Sequence, residues 1–329
     1  NTDFFDIPYL YNRTQRVLGK QIADTLSPIG QVSWIEGKSR YKIAGVSSLD
    51  YLGLYRLFNY SEKSSYRLDV IGKDEVDLGT IEYEDSLQDL YETDINKYIE
   101  YNLNDVKIVK RLDDKLKFID LARSIAHKGH VPYEDIYHSS RYLEGAILVY
   151  LKDLGVIAPN KPNNQGYNRS DEERFSGAYV KEPIPGRYEW VYDLDLTSMY
   201  PSTIMSLNIS PEMKLGKIVG WNAEEFMKGV EKTYTIEIGN KTKTHSNTEL
   251  KRLFDDNHIS ISSNGIMYRN DKKGLIPALL ERWFDERVEY KKLMKKHGNA
   301  GETDKYEYFH KRQLVTKILL NSMYGVLGS

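Results

Sequence analysis

The chain has 329 residues, 40% of them hydrophobic and 29% charged, which is ordinary for a globular protein and enough for two or three domains. Cysteine is absent, which excludes disulfides and thiolate metal sites and is compatible with a reducing compartment; no apolar run approaches the roughly 20 residues of a membrane span, and no signal-like amino terminus is visible. The net charge of −2, averaged over the chain, argues against a simple basic nucleic-acid binder.

In chain order, residues 1–118 read as α/β. A helix is expected over 18–26, ending near Pro28. The alternation over 31–43, with EGKS as its turn, predicts a β-hairpin. Asp50 is placed to cap a helix whose apolar stripe is Leu52, Leu54, Leu57 and Phe58. A further helix is expected over 95–121, with Ile99, Leu103, Val106, Ile108, Val109, Leu112 and Leu116 as its apolar positions. Residues 119–166 carry the helical run SSRYLEGAILVYLKDLG, bounded by Ser139 and Gly155, and then a loop, NKPNNQGYNRSDEER, that reads as a linker. Residues 175–196 read as strands with a turn at PIPGR. Residues 274–329 read as two helices joined by HGNAGETD, an antiparallel hairpin. There is no internal repeat or low-complexity tract.

Charge is unevenly spread. Residues 272–317 hold 12 Lys and Arg against 7 Asp and Glu, a local balance of +5 that leaves −7 for the remainder. A basic segment on an otherwise acidic protein fits a phosphate-binding surface beside a metal-binding one. A solvated pair of charged helices is the plainer alternative.

Two strings concentrate the chemistry. In VYDLDLTSMYPS the residues 191–196 are β-favouring and alternate, so Asp193 and Asp195 share one face. Thr197 and Ser198 suit a turn and helix cap, and Pro201 the first helical turn. A carboxylate at a strand end beside exposed amides can hold Mg²⁺ while the amides take phosphate oxygens; two aspartates that merely guard a sheet edge are the alternative. In the helix pair, Arg287 and Lys291 are four apart, and Lys317, Asn321 and Tyr324 are spaced four and three, so each set lies on one helical face. Antiparallel packing would let three cations and an amide converge on one anion, as a nucleoside triphosphate requires; an amphipathic hairpin with its lysines in water is the alternative. Gly325 would let a backbone come close.

The strings themselves carry a resemblance. DLTSMYPS is similar to motif A of the family B DNA polymerases, and KILLNSMYG matches their motif B, KxxxNSxYG. The resemblance implies that Asp195 binds metal, that Leu196 offers its carbonyl to a metal, and that the amides of Ser198 and Met199 face the triphosphate. Tyr200 would pack under the incoming sugar and exclude a 2′-hydroxyl. Arg287, Lys291, Lys317 and Asn321 would hold the triphosphate, with Lys317 counted among the catalytic groups, and Tyr324 and Gly325 would meet the new base pair; Asp193 has no assigned role. The segment between Lys291 and Lys317 is short, so compact fingers are expected. Earlier in the chain, Asn1, Phe5 and Asp6 resemble the second motif of the family's 3′–5′ exonuclease, and Tyr101 and Asp105, four apart, the third. Asp6 and Asp105 would bind metal and Tyr101 would orient the attacking water. FSGAYVKEPIP, around Gly177 and Ala178, looks like the template-contacting junction, and NISPE and SSNGIMYRNDKKGLIP look like T-even-type phage replicative polymerases.

The resemblance implies an α+β multidomain fold: part of an RNase H-like exonuclease over 1–118, a helical segment returning to the amino-terminal domain and linker over 119–166, the first part of a palm over 167–273, and a two-helix fingers domain over 274–329. The hairpin near 31–43 would separate primer from template. Primer–template DNA and deoxynucleoside triphosphates would be the substrates and Mg²⁺ the cofactor, in a two-metal site. A complementary polymerase fragment, a sliding clamp and a single-stranded-DNA-binding protein are candidate partners, a membrane is not, and the location would be the cytoplasm of a host cell. The family's motif C, a DTD hairpin, does not occur in these 329 residues, and the resemblance places its first exonuclease motif, Asp-x-Glu, before Asn1. The chain, which opens on Asn1, therefore reads as a fragment that neither polymerises nor proofreads efficiently alone. A non-catalytic nucleic-acid-binding module and a nuclease acting only through the amino-terminal carboxylates are the alternatives from other classes.

Overall fold

A computed structural model describes residues 2–59, 61–83, 86–160 and 180–327, apart from the side chain of Lys38. Asn1, Gly177, Ala178 and nearly all of the linker loop lie outside these residues. The fold is mixed α/β and divides into two compact units, Asn1–Ala146 and Ile147–Ser329.

The first unit is mainly helical. After a short π-helical turn, α1 (Ile7–Leu18) and α2 (Lys20–Asp24) replace the single helix expected over 18–26; the break falls at Gly19, whose φ of +90° suits glycine and ends α1. The expected hairpin forms from β1 (Val32–Ile35) and β2 (Arg40–Ile43), with Val32 opposite Ile43 and Ser39 in the left-handed region closing the turn. Asp50 caps α3 (Tyr51–Phe58) by accepting the Gly53 amide at 3.1 Å. Then come α4 (Leu68–Val76), α5 (Leu87–Thr93) and α6 (Ile95–Leu116). The helix expected to reach residue 121 stops five residues short of it. Lys117 turns left-handed (φ 57°), and the Asp113 carboxylate accepts the Ile119 amide at 3.1 Å, which starts α7 (Phe118–Gly129) in a new direction. Tyr55, Ile71, Ile108 and Leu112 form the core among α3, α4 and α6, whereas Ile99, Leu103 and Val106 are exposed. α8 (Ser139–Asp153) follows the run read from sequence and ends before Gly155, at φ +68°.

In the second unit α9 (Met199–Leu207) precedes a five-stranded antiparallel sheet of order β5-β4-β3-β7-β6. Its strands are β3 (Lys214–Val219), β4 (Thr233–Ile238), β5 (Lys241–Ser246), β6 (Ile259–Ile261) and β7 (Ile266–Arg269), with α10 (Ala223–Met227) and α11 (Asn247–Asp256) inserted. Ile218, Tyr234, Ile236 and Met267 of the sheet pack on Leu250 of α11, with Trp221, Phe226 and Phe254 closing over them. Two long helices complete the unit, α12 (Leu275–Asn299) and α13 (Thr303–Leu327). Their connection is three residues, 300–302, shorter than the loop expected from sequence, because helix reaches into HGN on one side and TD on the other.

One expectation fails. Residues 180–196 are exposed throughout and form no strand. Alternation gives a segment the surface of a strand, but a strand exists only when its backbone pairs, and none of the five sheet strands pairs with this segment. Only the turn persists, with the Tyr188 hydroxyl donating to the Ile184 carbonyl at 2.8 Å around Gly186.

Candidate nucleotide-binding face

α12 and α13 run antiparallel, as their short connection demands. Tyr290 and His297 of α12 both pack on Phe309 (6.3 and 5.4 Å between ring centres), and Arg312 lies 5.9 Å from the Tyr290 ring. That register places Arg287 roughly level with the turn of α13 before Lys317. The α13 positions Val315, Thr316, Leu319, Leu320 and Met323 are buried, while Lys317, Asn321, Tyr324 and Gly325 are exposed. The spacing of motif B thus resolves into one buried and one open face.

α9 packs against both helices, and the contact between motifs is aromatic: the rings of Tyr200 and Tyr324 stack at 4.0 Å, 15° from parallel. Ser198 starts α9 in the left-handed region (φ 51°) without a side-chain cap; instead the Ser202 hydroxyl donates to the Thr197 carbonyl at 3.1 Å. The amides of Ser198 and Met199 stand where a helix has no acceptor of its own. Asp195 and Leu196, three and two residues earlier, are exposed, as is Asp193. The carboxylate is therefore tethered to the face from the helix side alone.

Among the described residues Asp195, Arg287, Lys291, Lys317 and Asn321 have no hydrogen-bonded or ionic partner, so their polar groups are uncommitted. Arg287 is the most constrained. It is half-buried, its Nε has no acceptor, and burial lowers the pKa of its guanidinium. An anion arriving there would remove an electrostatic penalty already present in the free protein.

Sequence reasoning missed what holds this face together. Asn208, at the end of α9, is 1% exposed, donates to the carbonyls of Arg269 (2.7 Å) and Lys272 (2.9 Å), and accepts the Gly274 amide (2.8 Å). Glu212 accepts the Leu275 amide at 2.7 Å and the Ser210 hydroxyl at 2.7 Å. Burial opposes its ionisation, but those two donors, together with the Glu212 backbone amide and the charge of Lys272, outweigh it and hold the carboxyl below its ordinary value. These residues were visible only as part of the NISPE string; their partners on and before α12 are 61 to 66 positions away, beyond any local pattern.

In the first unit Asp6 is exposed at the start of α1, and Tyr101 and Asp105 are half-buried on α6. Tyr101 packs edge-on to Tyr83 at 5.3 Å. Burial pushes the Asp105 carboxyl up, one of its oxygens is buried without a partner, and the Tyr101 hydroxyl one turn earlier works in the opposite direction. Among the described residues no group of three or more His, Asp or Glu side chains is assembled to hold a metal ion. The donors are of the hard oxygen type that Mg²⁺ takes, but each stands singly.

Comparison with known proteins agrees with the motifs. The chain is similar to the DNA-directed DNA polymerase of Escherichia phage RB69, 32% identical over 308 residues, covering 92% of this chain and 31% of that protein. It is similar to the DNA-directed DNA polymerase of Enterobacteria phage T4, 28% identical over 383 residues, with all of this chain and 40% of that one covered. A DNA polymerase of Pyrococcus glycovorans is 26% identical over 345 residues, again over the whole chain and 37% of the relative. The chain thus spans well under half the length of these relatives. Residues 136–329, more than half of the chain and all of the face described above, match the family model of DNA polymerase family B, and the chain belongs to that family.

Proposed function

We propose that this chain forms the nucleotide-binding part of a template-directed DNA polymerase with an associated 3′–5′ exonuclease. The observation that carries the reading is the stack of Tyr200 on Tyr324, which joins motifs A and B beside the uncommitted Lys317 and Asn321. On this reading Arg287, Lys291 and Lys317 neutralise and orient a triphosphate, the amides of Ser198 and Met199 receive its oxygens, and Tyr200 lies under the sugar. Such positioning and charge compensation is most of what phosphoryl transfer asks of a protein. Asp195 and the Leu196 carbonyl would contribute ligands to Mg²⁺, which supplies charge neutralisation to the transferred phosphoryl group; a complete site needs carboxylates that this sequence does not contain. Tyr324 and Gly325, with Gly177 and Ala178, face primer–template DNA. Asp6, Tyr101 and Asp105 belong to the exonuclease centre, and the division into exonuclease, returning segment, palm and fingers follows the boundaries expected from sequence.

The test is equilibrium binding of Mg·dATP to the 329-residue chain. Lys317→Ala is expected to weaken it by about tenfold or more, the loss of one hydrogen bond to a charged group. Equal affinity in the variant and the parent refutes the reading. A primer-extension assay on the chain alone is expected to give no product. A mixture with a polypeptide that carries motif C is expected to extend a primer, and to stop doing so with Asp195→Ala.

A further inference from the structure

α12 begins without a cap of its own. Its N-cap is Gly274, which has no side chain to offer the first amides, and those amides must find acceptors elsewhere. They find them 63 to 66 residues back: Gly274 N–H on Asn208 Oδ1 (2.8 Å), Leu275 N–H on Glu212 Oε1 (2.7 Å) and Ile276 N–H on Ser210 Oγ (3.3 Å). Three alternate residues just past α9 thus hold three consecutive amides of α12. Asn208 and Ser210 are each 1% exposed, and Ser210 in turn donates to Glu212 Oε2 at 2.7 Å. A side chain at 274 has no room, since a Cβ there would lie 2.8 Å from both Met213 Cγ and Ser210 Cβ.

A serine or aspartate at an ordinary N-cap satisfies such amides locally. A cap supplied from another element does more, because it fixes the direction in which α12 leaves α9. We infer that Asn208, Ser210 and Glu212 are positioning residues that aim α12, and with it Arg287 and Lys291, at the face Tyr200 forms; what the aim serves rests on the nucleotide-binding reading. The lever is long. Lys291 lies 17 residues past Gly274, about 25 Å along the helix at ~1.5 Å per residue. A tilt of roughly 10° at the clamp moves it by about 4 Å, more than the tolerance of a hydrogen bond. The hairpin is thereby held at the base of both legs, α12 by the clamp and α13 by Tyr324 on Tyr200.

The chain has no cysteine, so Ser206→Cys on α9 and Lys292→Cys on α12, both exposed, accept spin labels without background. Pulsed dipolar spectroscopy is expected to give one narrow distance in the labelled parent, a distribution broadened or shifted by several ångströms in Glu212→Ala and in Ser210→Ala, and the parent distribution in Glu212→Gln, which keeps an oxygen for the Leu275 amide. Mg·dATP affinity measured on the same folded proteins is expected to fall about tenfold in Glu212→Ala and to be retained in Glu212→Gln. Alanine variants that melt at lower temperature yet keep the parent distance and affinity overturn the inference, leaving the clamp a structural cap only. Should the parent fail to bind Mg·dATP, the nucleotide-binding reading falls, and the distance measurement still decides the clamp.

Discussion

Arg287 is expected to be a residue whose removal stabilises the free protein and damages its binding. Its Nε is buried without an acceptor, and desolvation lowers the pKa of the guanidinium. A buried donor left unpaired costs about 1–3 kcal/mol relative to a satisfied one. Arg287→Met keeps the stem of the side chain against the hairpin and deletes the orphan donor and the charge, so a gain of about 1 kcal/mol in unfolding free energy is expected. For a protein of this size that corresponds to roughly 2–4 °C in melting temperature. With saturating Mg·dATP the order should invert: ligand raises the melting temperature of the parent by mass action and that of the variant by much less. Thermal unfolding with and without Mg·dATP measures both effects in one experiment. A variant that melts below the parent in the absence of nucleotide and gains as much from it refutes the reasoning. Arg287 would then be an ordinary packing residue with its charge in water.

Other outcomes follow from individual side chains. The Asp105 carboxyl is raised by burial above its ordinary value of 3.8, so the folded state binds its proton more tightly than the unfolded chain does. Stability is therefore lost as pH rises through that ordinary value and beyond, and Asp105→Asn should melt higher than the parent at pH 7, with the difference vanishing as pH falls below about 4; a difference independent of pH refutes this. Leu319 of α13 is fully buried, and Leu319→Ala should cost about 2–5 kcal/mol, read by denaturant unfolding, with a smaller loss showing that the hairpin collapses around the gap. Tyr200→Ala should bring the affinities for Mg·ATP and Mg·dATP together, and a parent-like preference for the deoxynucleotide would remove Tyr200 from the role of sugar gate.

The parts of the fold legible in the sequence were those written locally. The EGKS turn fixed the β1–β2 register, Asp50 signalled the start of α3, and Gly155 the end of α8. The breaks were less visible. Gly19 divides α1 from α2, as a glycine can, whereas Lys117 ends α6 in the left-handed region while the Asp113 side chain caps α7. The five-stranded sheet is not among the expected elements, although one of its hairpins is plainly signalled. TYTIEI and KTKTHS alternate on either side of Gly239 and Asn240, and Ile238 pairs with Lys241 across that two-residue turn.

The candidate site divides along the same physical line. Helical spacing was sufficient to place Lys317, Asn321 and Tyr324 on one open face, because a helix satisfies its own backbone and its faces follow from counting. The residues around Asp195 have no such autonomy. Their alternation gives Asp193 and Asp195 a common side only once a neighbouring strand accepts the backbone, and among the described residues none does, so the segment is exposed throughout. Motif A is thus half a structure by nature: its helical half, from Ser198, is positioned by α12 and α13, and its strand half must be positioned by whatever pairs with it. The carboxylate sits on the second half. A partner that supplies the missing ladder should order residues 191–196 and leave α9 where it is, which amide hydrogen exchange would read as new protection confined to that segment.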